Sequence, residues 1–221
     1  MNMDEILMPL KNKEIKEYKI TIPEGWRITQ IADYLNEKNI VKKDDFIFSA
    51  KDKEGYLFPD TYRLSIDVTA DEIVSKMVEN FNTRTRDIKV SKDDLILASI
   101  VEREAKNNDD RAKIAGVFMN RVSNNMFLGS DATVEYAKGN WLPITKKDIE
   151  TVDSPFNTYK YKGLPPAPIC NPGLLSIKAA IKPESVDWFY FFTLKDGSAV
   201  FSRTGYEHDL NLEKYKDQID N

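Results

Sequence analysis

A carboxylic acid among apolar neighbours can carry proton-transfer chemistry, and Glu104 is the residue of this chain whose setting suggests it. It closes the segment Leu95-Ile-Leu-Ala-Ser-Ile-Val-Glu-Arg-Glu-Ala105. Read as a helix at about 100° per residue, this segment puts Ile96, Leu97, Ile100 and Val101 on one side and Glu104 among them. Glu102 falls on the opposite side, near Ala98 and Ser99. An apolar environment disfavours a carboxylate anion and raises its pKa, so Glu104 could stay protonated near neutral pH and act as a general acid. The competing reading is a solvated or ion-paired glutamate, with Arg103, Arg111 and Lys113 as partners.

The elements that must hold such an acid can be read from both sides of it. The sequence has 221 residues, 41% hydrophobic and 31% charged, enough for one compact domain or a small domain joined to a larger one. Tyr18-Lys-Ile-Thr-Ile22 alternates as a strand, Pro23-Glu-Gly25 turns, and Thr29 is expected to cap a helix carrying Ile31, Ala32 and Leu35. A short helix follows over 41–50. The aromatic segment Glu54-Gly-Tyr-Leu-Phe-Pro-Asp-Thr-Tyr62 enters a new unit, with Tyr56, Phe58 and Tyr62 as core or cleft wall. Thr69-Ala-Asp-Glu72 and Ser91-Lys-Asp-Asp94 have capping-box spacing and start two helices, the second ending near Glu104. A further helix over 111–122 buries Ile114, Val117, Phe118 and Val122.

Beyond Asn124 the chain changes character. Prolines crowd into Ser154-Pro-Phe-Asn-Thr-Tyr159 and Gly163-Leu-Pro-Pro-Ala-Pro-Ile-Cys-Asn-Pro-Gly173, and long irregular segments of this kind are expected to line a cleft. A helix over 175–181, a strand pair over 188–193 and 198–202 turned at Lys195-Asp-Gly197, and a polar helix from Leu210 complete the chain.

Several function classes recede. Net charge is −4, and no run of Lys and Arg is interleaved with aromatics, so no nucleic-acid partner is expected. One histidine and one cysteine allow neither a zinc pair nor an intrachain disulfide, and no phosphate-binding glycine loop is present. No metal and no cofactor are expected. The longest apolar stretches are too short to cross a bilayer.

Seven segments occur in an order that resembles one known family. They are Glu54 to Tyr62, Ala98-Ser-Ile-Val-Glu-Arg-Glu104, Val117-Phe-Met-Asn-Arg121, Ser130-Asp-Ala-Thr-Val134, Asn157-Thr-Tyr159, Gly163-Leu-Pro-Pro166 and Glu207-His208. Together they are similar to the YceG-like endolytic murein transglycosylases, over nearly the whole chain from about Tyr18. The resemblance implies an α+β protein. A small LysM-like N-terminal module, residues 1–50, would pack on a larger mixed helical/β catalytic domain, residues 51–221, with long Pro-rich cleft loops.

It also implies cleavage of peptidoglycan glycan strands between N-acetylmuramic acid and N-acetylglucosamine without water, leaving 1,6-anhydromuramyl ends. Further implications are a role in cell-wall assembly with the cell-wall synthesis machinery as a partner, and a single N-terminal membrane anchor holding the catalytic part outside the cytoplasm. The family's catalytic glutamate corresponds to Glu104, with Glu102 as its rival. By motif position and residue type, Asn120, Ser130, Asp131, Thr133, Asn157, Tyr159 and Glu207 are candidates for substrate binding.

Bland roles compete for several of them. Asn157 and Asn171 suit turns, Asp131 could cap a helix beginning at Thr133, Arg121 could pair with Glu102 or Glu104, and His208 could order the Glu207 loop by hydrogen bonding. The chain departs from the family pattern at Ala167-Pro168 and at Leu128-Gly-Ser130, which bears on subsite contacts. Two other functions remain open: a lysozyme-type hydrolase with Asp131 or Glu207 activating water, and a non-catalytic cell-wall binding protein.

Overall fold

A computed structural model describes residues 17–219, and its helices and two two-stranded antiparallel sheets make it an α+β protein. Strand β1 (Glu17–Thr21) pairs with β2 (Thr61–Ser65), Glu17 opposite Ser65 and Thr21 opposite Thr61. Helices α1 (Ile28–Glu37) and α2 (Lys43–Ser49) lie between them in sequence, and α3 (Ala70–Thr85) follows. Ile20, Ile31, Leu35, Phe46, Leu57, Leu64, Ile73 and Met77 share one hydrophobic cluster. That cluster runs across residue 50, because β1 finds its ladder partner only at 61–65 and α3 supplies its floor.

Helix α1 does not start at a threonine cap. Arg27 is its N-cap, and Gln30 reaches back to accept from the Arg27 N–H at 3.2 Å. The Thr29 hydroxyl is buried without a hydrogen-bond partner.

The remainder packs around α4 (Lys92–Glu104), which contacts α5 (Arg111–Ser123), α6 (Asp131–Lys138) and α8 (Leu174–Ile181). Every residue from Leu95 to Val101 is buried, Ala98 and Ser99 included. The expected one-sided stripe is therefore a helix enclosed on all faces, and facing alone does not separate Glu104 from Glu102. The two expected capping boxes are present at Thr69/Glu72 and Ser91/Asp94. A third, Thr145/Asp148, starts α7 (Lys146–Thr151). Strands β3 (Tyr190–Thr193) and β4 (Ala199–Ser202) form the second sheet, and α9 (Gly205–Tyr215) begins well before Leu210. Among the described residues no helix is long and apolar enough to cross a membrane.

The Pro-rich run 163–173 forms a seam between the N-terminal segments and α4. The Ile169 N–H donates to Ser99 Oγ at 3.0 Å, and buried Cys170 lies with Sγ 3.2 Å from the Ser99 carbonyl. Asn171 is fully buried. Its Oδ1 accepts from the Gly55 and Leu57 N–H groups at 2.9 Å each, while Nδ2 donates to the Trp26 carbonyl and to Glu54. One side chain thus satisfies four groups on two segments, 54–57 and Trp26. The extended backbone that prolines impose leaves 169–171 free to bond outward in this way.

Candidate active site

Glu104 is the last residue of α4 and borders a cleft of about 540 Å³. The cleft is lined by Arg103, Glu104, Phe118, Arg121, Asp131, Glu135, Tyr159 and Phe191, among others. Burial pushes the Glu104 carboxyl up to about 7; a hydrogen bond from Ser130 and the charge of Arg121 oppose the rise, and Asp131 and Glu135 add to it. Ser130 Oγ donates to Glu104 Oε1 at 2.5 Å. Ser130 is the N-cap residue of α6, yet its hydroxyl makes no cap bond. The group that would ordinarily satisfy a helix N–H is turned toward the acid instead.

Glu102, two residues earlier, has different partners. It pairs with Arg111 at 3.1 Å, with only 6% of its side chain and 10% of that of Arg111 exposed. Its other oxygen accepts from the Gly173 N–H at 2.9 Å. Glu102 is a tie between α4, α5 and the Pro-rich seam. Among the described residues Glu104 has no ion pair, and its hydrogen-bond partner is a neutral hydroxyl.

The other candidates divide. Asp131 and Tyr159 line the cleft, joined by a Tyr159 hydroxyl donating to Asp131 Oδ1 at 2.5 Å. Burial and Asp131 together hold the Tyr159 phenol well above its usual range. Asp131 is the first residue of α6, so it does not cap a helix starting at Thr133. Thr133 is buried behind the site, donating to the Ser130 carbonyl at 2.7 Å and bonding Thr158 Oγ1 at 2.9 Å, so it braces Ser130.

Asn157 is also buried; its amide bonds the Ile149 and Val152 carbonyls at 2.9 Å each and its oxygen takes the Tyr159 N–H. It shapes the loop that presents Tyr159. The Asn120 amide donates to the carbonyls of Val186 and Trp188 at 2.8 and 3.0 Å. Glu207 lies in the first turn of α9, where Thr204 accepts its N–H and its carboxylate accepts the Arg203 N–H at 2.8 Å. Neither Asn120 nor Glu207 lines the cleft.

Arg121 pairs with neither Glu102 nor Glu104. It donates to the Leu128 carbonyl and, at 2.6 Å, to the Phe189 carbonyl, fastening both cleft edges to α5. His208 bonds no loop through Nδ1, which is buried without a partner, and its ring sits against Tyr190 and Phe192. Burial lowers its pKa.

Sequence reasoning missed Arg103, Glu135, Pro143 and Ile144 as cleft residues. The Glu104–Arg103 adjacency was visible, but only tertiary packing carries Arg103 into the cleft. Burial raises the Glu135 carboxyl, with Arg103 opposing. Among the described residues no group of three or more His, Cys, Asp or Glu is gathered that could hold a metal ion.

The model of the YceG-like family matches residues 1–214. This chain belongs to the YceG-like family. It is 36% identical over 253 aligned residues to a Bacillus subtilis protein named endolytic murein transglycosylase, covering 97% of this chain and 70% of that protein. A Streptococcus pneumoniae protein of the same name is 29% identical, and this chain, 89% covered, spans only 44% of its length. A crystal structure of a YceG-like protein from Listeria monocytogenes superposes with a TM-score of 0.80 at 36% identity, covering 96% of this chain and 81% of the other. Membership of the YceG-like family and the α+β architecture therefore stand together.

Proposed function

We propose that this chain is a peptidoglycan lytic transglycosylase that cuts glycan strands endolytically, with Glu104 as its single acid and base. The observation that carries this reading is the Glu104 carboxyl, raised to about 7 at the wall of a cleft and held by Ser130 rather than by a cation. Protonated Glu104 donates to the glycosidic oxygen as the C1–O bond breaks and positive charge develops at the muramyl C1. The carboxylate left behind takes the proton of the sugar's own 6-hydroxyl. That oxygen then bonds to C1, closing a 1,6-anhydro ring and releasing the chain end. The internal nucleophile is already in place, so no water needs to be ordered. Asp131 and Tyr159, joined to each other and facing the same cleft, are proposed to line the sugar site.

In the same reading, residues 1–50 contribute a LysM-like glycan-holding module and residues 51–221 the catalytic domain, with α3 and β2 packed across the division. The names of the Bacillus and Streptococcus relatives support murein as the substrate. Membrane tethering through an N-terminal helix, an extracytoplasmic site and work beside the cell-wall synthesis machinery belong to this proposal too.

A hydrolase is the second reading, and Asp131 in the cleft is what favours it, as a carboxylate able to activate water. Mass spectrometry of digested, purified peptidoglycan separates the two. Anhydromuramyl ends are expected; reducing muramyl ends would give the hydrolase reading precedence, and intact strands would leave only glycan binding.

A further inference from the structure

Murein differs from an uncharged glycan in one chemical respect. Every second sugar carries a lactyl ether whose carboxyl is either free or extended by a peptide bearing further carboxylates. A cleft for such a strand has a use for a fixed cation near the acid. Arg103 immediately precedes Glu104 and lines the same cleft. Its guanidinium stacks on Trp141, 4.2 Å from the ring centroid. Its Nε is buried without a hydrogen-bond partner, and among the described residues it makes no ion pair within 4.0 Å.

The platform under Arg103 is built from elsewhere in the chain. Trp141 Nε1 donates to Gln30 Oε1 at 2.7 Å, and Pro143 and Ile144 of the same loop line the cleft. Arg27 lies 5.4 Å from the same indole centroid and donates to the Gly139 carbonyl, and its Nε is likewise buried and unpartnered. Two guanidiniums therefore converge on one indole, each with an unspent donor. The carboxyl near Arg27, Glu54, is raised to about 8 by burial, which weakens it as a counter-charge to the guanidinium. Glu135 is the cleft carboxyl that feels Arg103, and its pKa too is raised by burial.

We propose that Arg103, stacked on Trp141 and backed by Arg27, is a subsite for a carboxylate of the muramyl side group, orienting the strand so that the scissile bond meets Glu104. This rests on murein being the substrate. A planar guanidinium suits a carboxylate better than an ammonium does, because it offers paired N–H donors in one plane.

The test is isothermal titration calorimetry on the Glu104→Gln protein, which binds without turnover. The probes are a soluble N-acetylglucosaminyl-N-acetylmuramyl fragment bearing L-Ala-D-Glu, the same fragment with the peptide carboxyls amidated, and the peptide-free fragment with its lactyl carboxylate. The free-carboxylate fragment is expected to bind about tenfold more tightly than the amidated one. Adding Arg103→Met should abolish that preference while leaving the amidated fragment unchanged, and Arg103→Lys should restore part of it.

Tight, Arg103-dependent binding of the peptide-free fragment would assign the carboxylate to the lactyl group; weak binding would assign it to the peptide. Equal affinity for the free and amidated peptides, with no Arg103-dependent gain for the lactyl form, would overturn the subsite. So would an equal loss for all probes in Arg103→Met. Carboxylate-dependent binding in a wild-type protein without turnover would overturn the enzymatic reading and keep the subsite. Turnover without carboxylate dependence would do the reverse.

Discussion

Among the described residues Glu54 and Glu104 are raised by burial well above the usual carboxyl range, and they lie in regions of opposite character. Glu54 sits at the seam where the N-terminal segments meet the Pro-rich run, pushed up to about 8. It takes the Ile28 N–H at 3.0 Å and the Asn171 amide at 3.0 Å, and it shares a hydrogen bond with Tyr136. Glu104, raised to about 7, faces a cleft and has Ser130. Desolvation is the leading cause of both shifts. What separates them is access: Glu54 spends its oxygens on its own chain, whereas Glu104 keeps a lone pair and a proton available to something entering the cleft. A raised pKa marks a carboxyl as a proton carrier, and geometry decides whether it has anyone to exchange with.

The sharpest way to break this comparison is at the two acids themselves. Glu104→Gln should reduce turnover of peptidoglycan by about a thousandfold while the melting temperature stays within a few degrees. A residual rate near wild type would remove Glu104 from its role. At the seam, Asn171→Leu should cost roughly 3 kcal/mol in urea unfolding, because it strands the Gly55 and Leu57 N–H groups and takes one bond each from the Trp26 carbonyl and Glu54.

Glu54→Gln tests the sign of the shift at the seam. A carboxyl whose folded pKa lies above its unfolded value of about 4.5 gives stability that is complete below 4.5 and lost as pH rises through 8. Glu54→Gln does not titrate. It should therefore lose about 3 kcal/mol less than wild type between pH 5 and pH 8, and parallel curves of urea midpoint against pH would show that Glu54 is ionised in the fold.

The smallest effect is expected at the hydroxyl beside the acid. Ser130→Ala removes a bond that lowers the Glu104 pKa, so the alkaline fall in kcat, near 7 in wild type, should move to higher pH with about a tenfold loss of rate. Movement toward lower pH would mean that Ser130 favours the protonated form.

Local signals carried much of the fold. The boxes at Thr69/Glu72 and Ser91/Asp94 mark helix starts because their four groups satisfy one another within one turn. The same spacing, Thr204-Gly-Tyr-Glu207, was open to the same reading, and with it Glu207 belongs to a helix start rather than to a sugar site. Glu104 is legible as a perturbed acid, but a one-sided stripe does not single it out in a helix buried on every side from Leu95 to Val101.

Asn157 makes the turn contact its type suggests, its Oδ1 taking the Tyr159 N–H, but the long-range partners of Asn120, Asn157 and Asn171 are not legible. An amide serves a backbone carbonyl or a sugar hydroxyl equally well, and the carbonyls that claimed them come from segments that only folding brings near. The meeting of Arg103, Trp141 and Arg27 has no sequence signature either.

Glu104 is where α4 stops: Ala105 turns away in an extended conformation, φ −80° and ψ 118°. The carbonyls of a final helical turn gather roughly half a unit of negative charge. The backbone direction of this enclosed helix is thus itself an electrostatic device. Chain polarity, running inward from Ser91, aims its negative pole at the carboxyl and makes a second anion there harder to form. Had the same strut been threaded the other way, its positive pole would have favoured the anion and worked against the burial that keeps the proton in place.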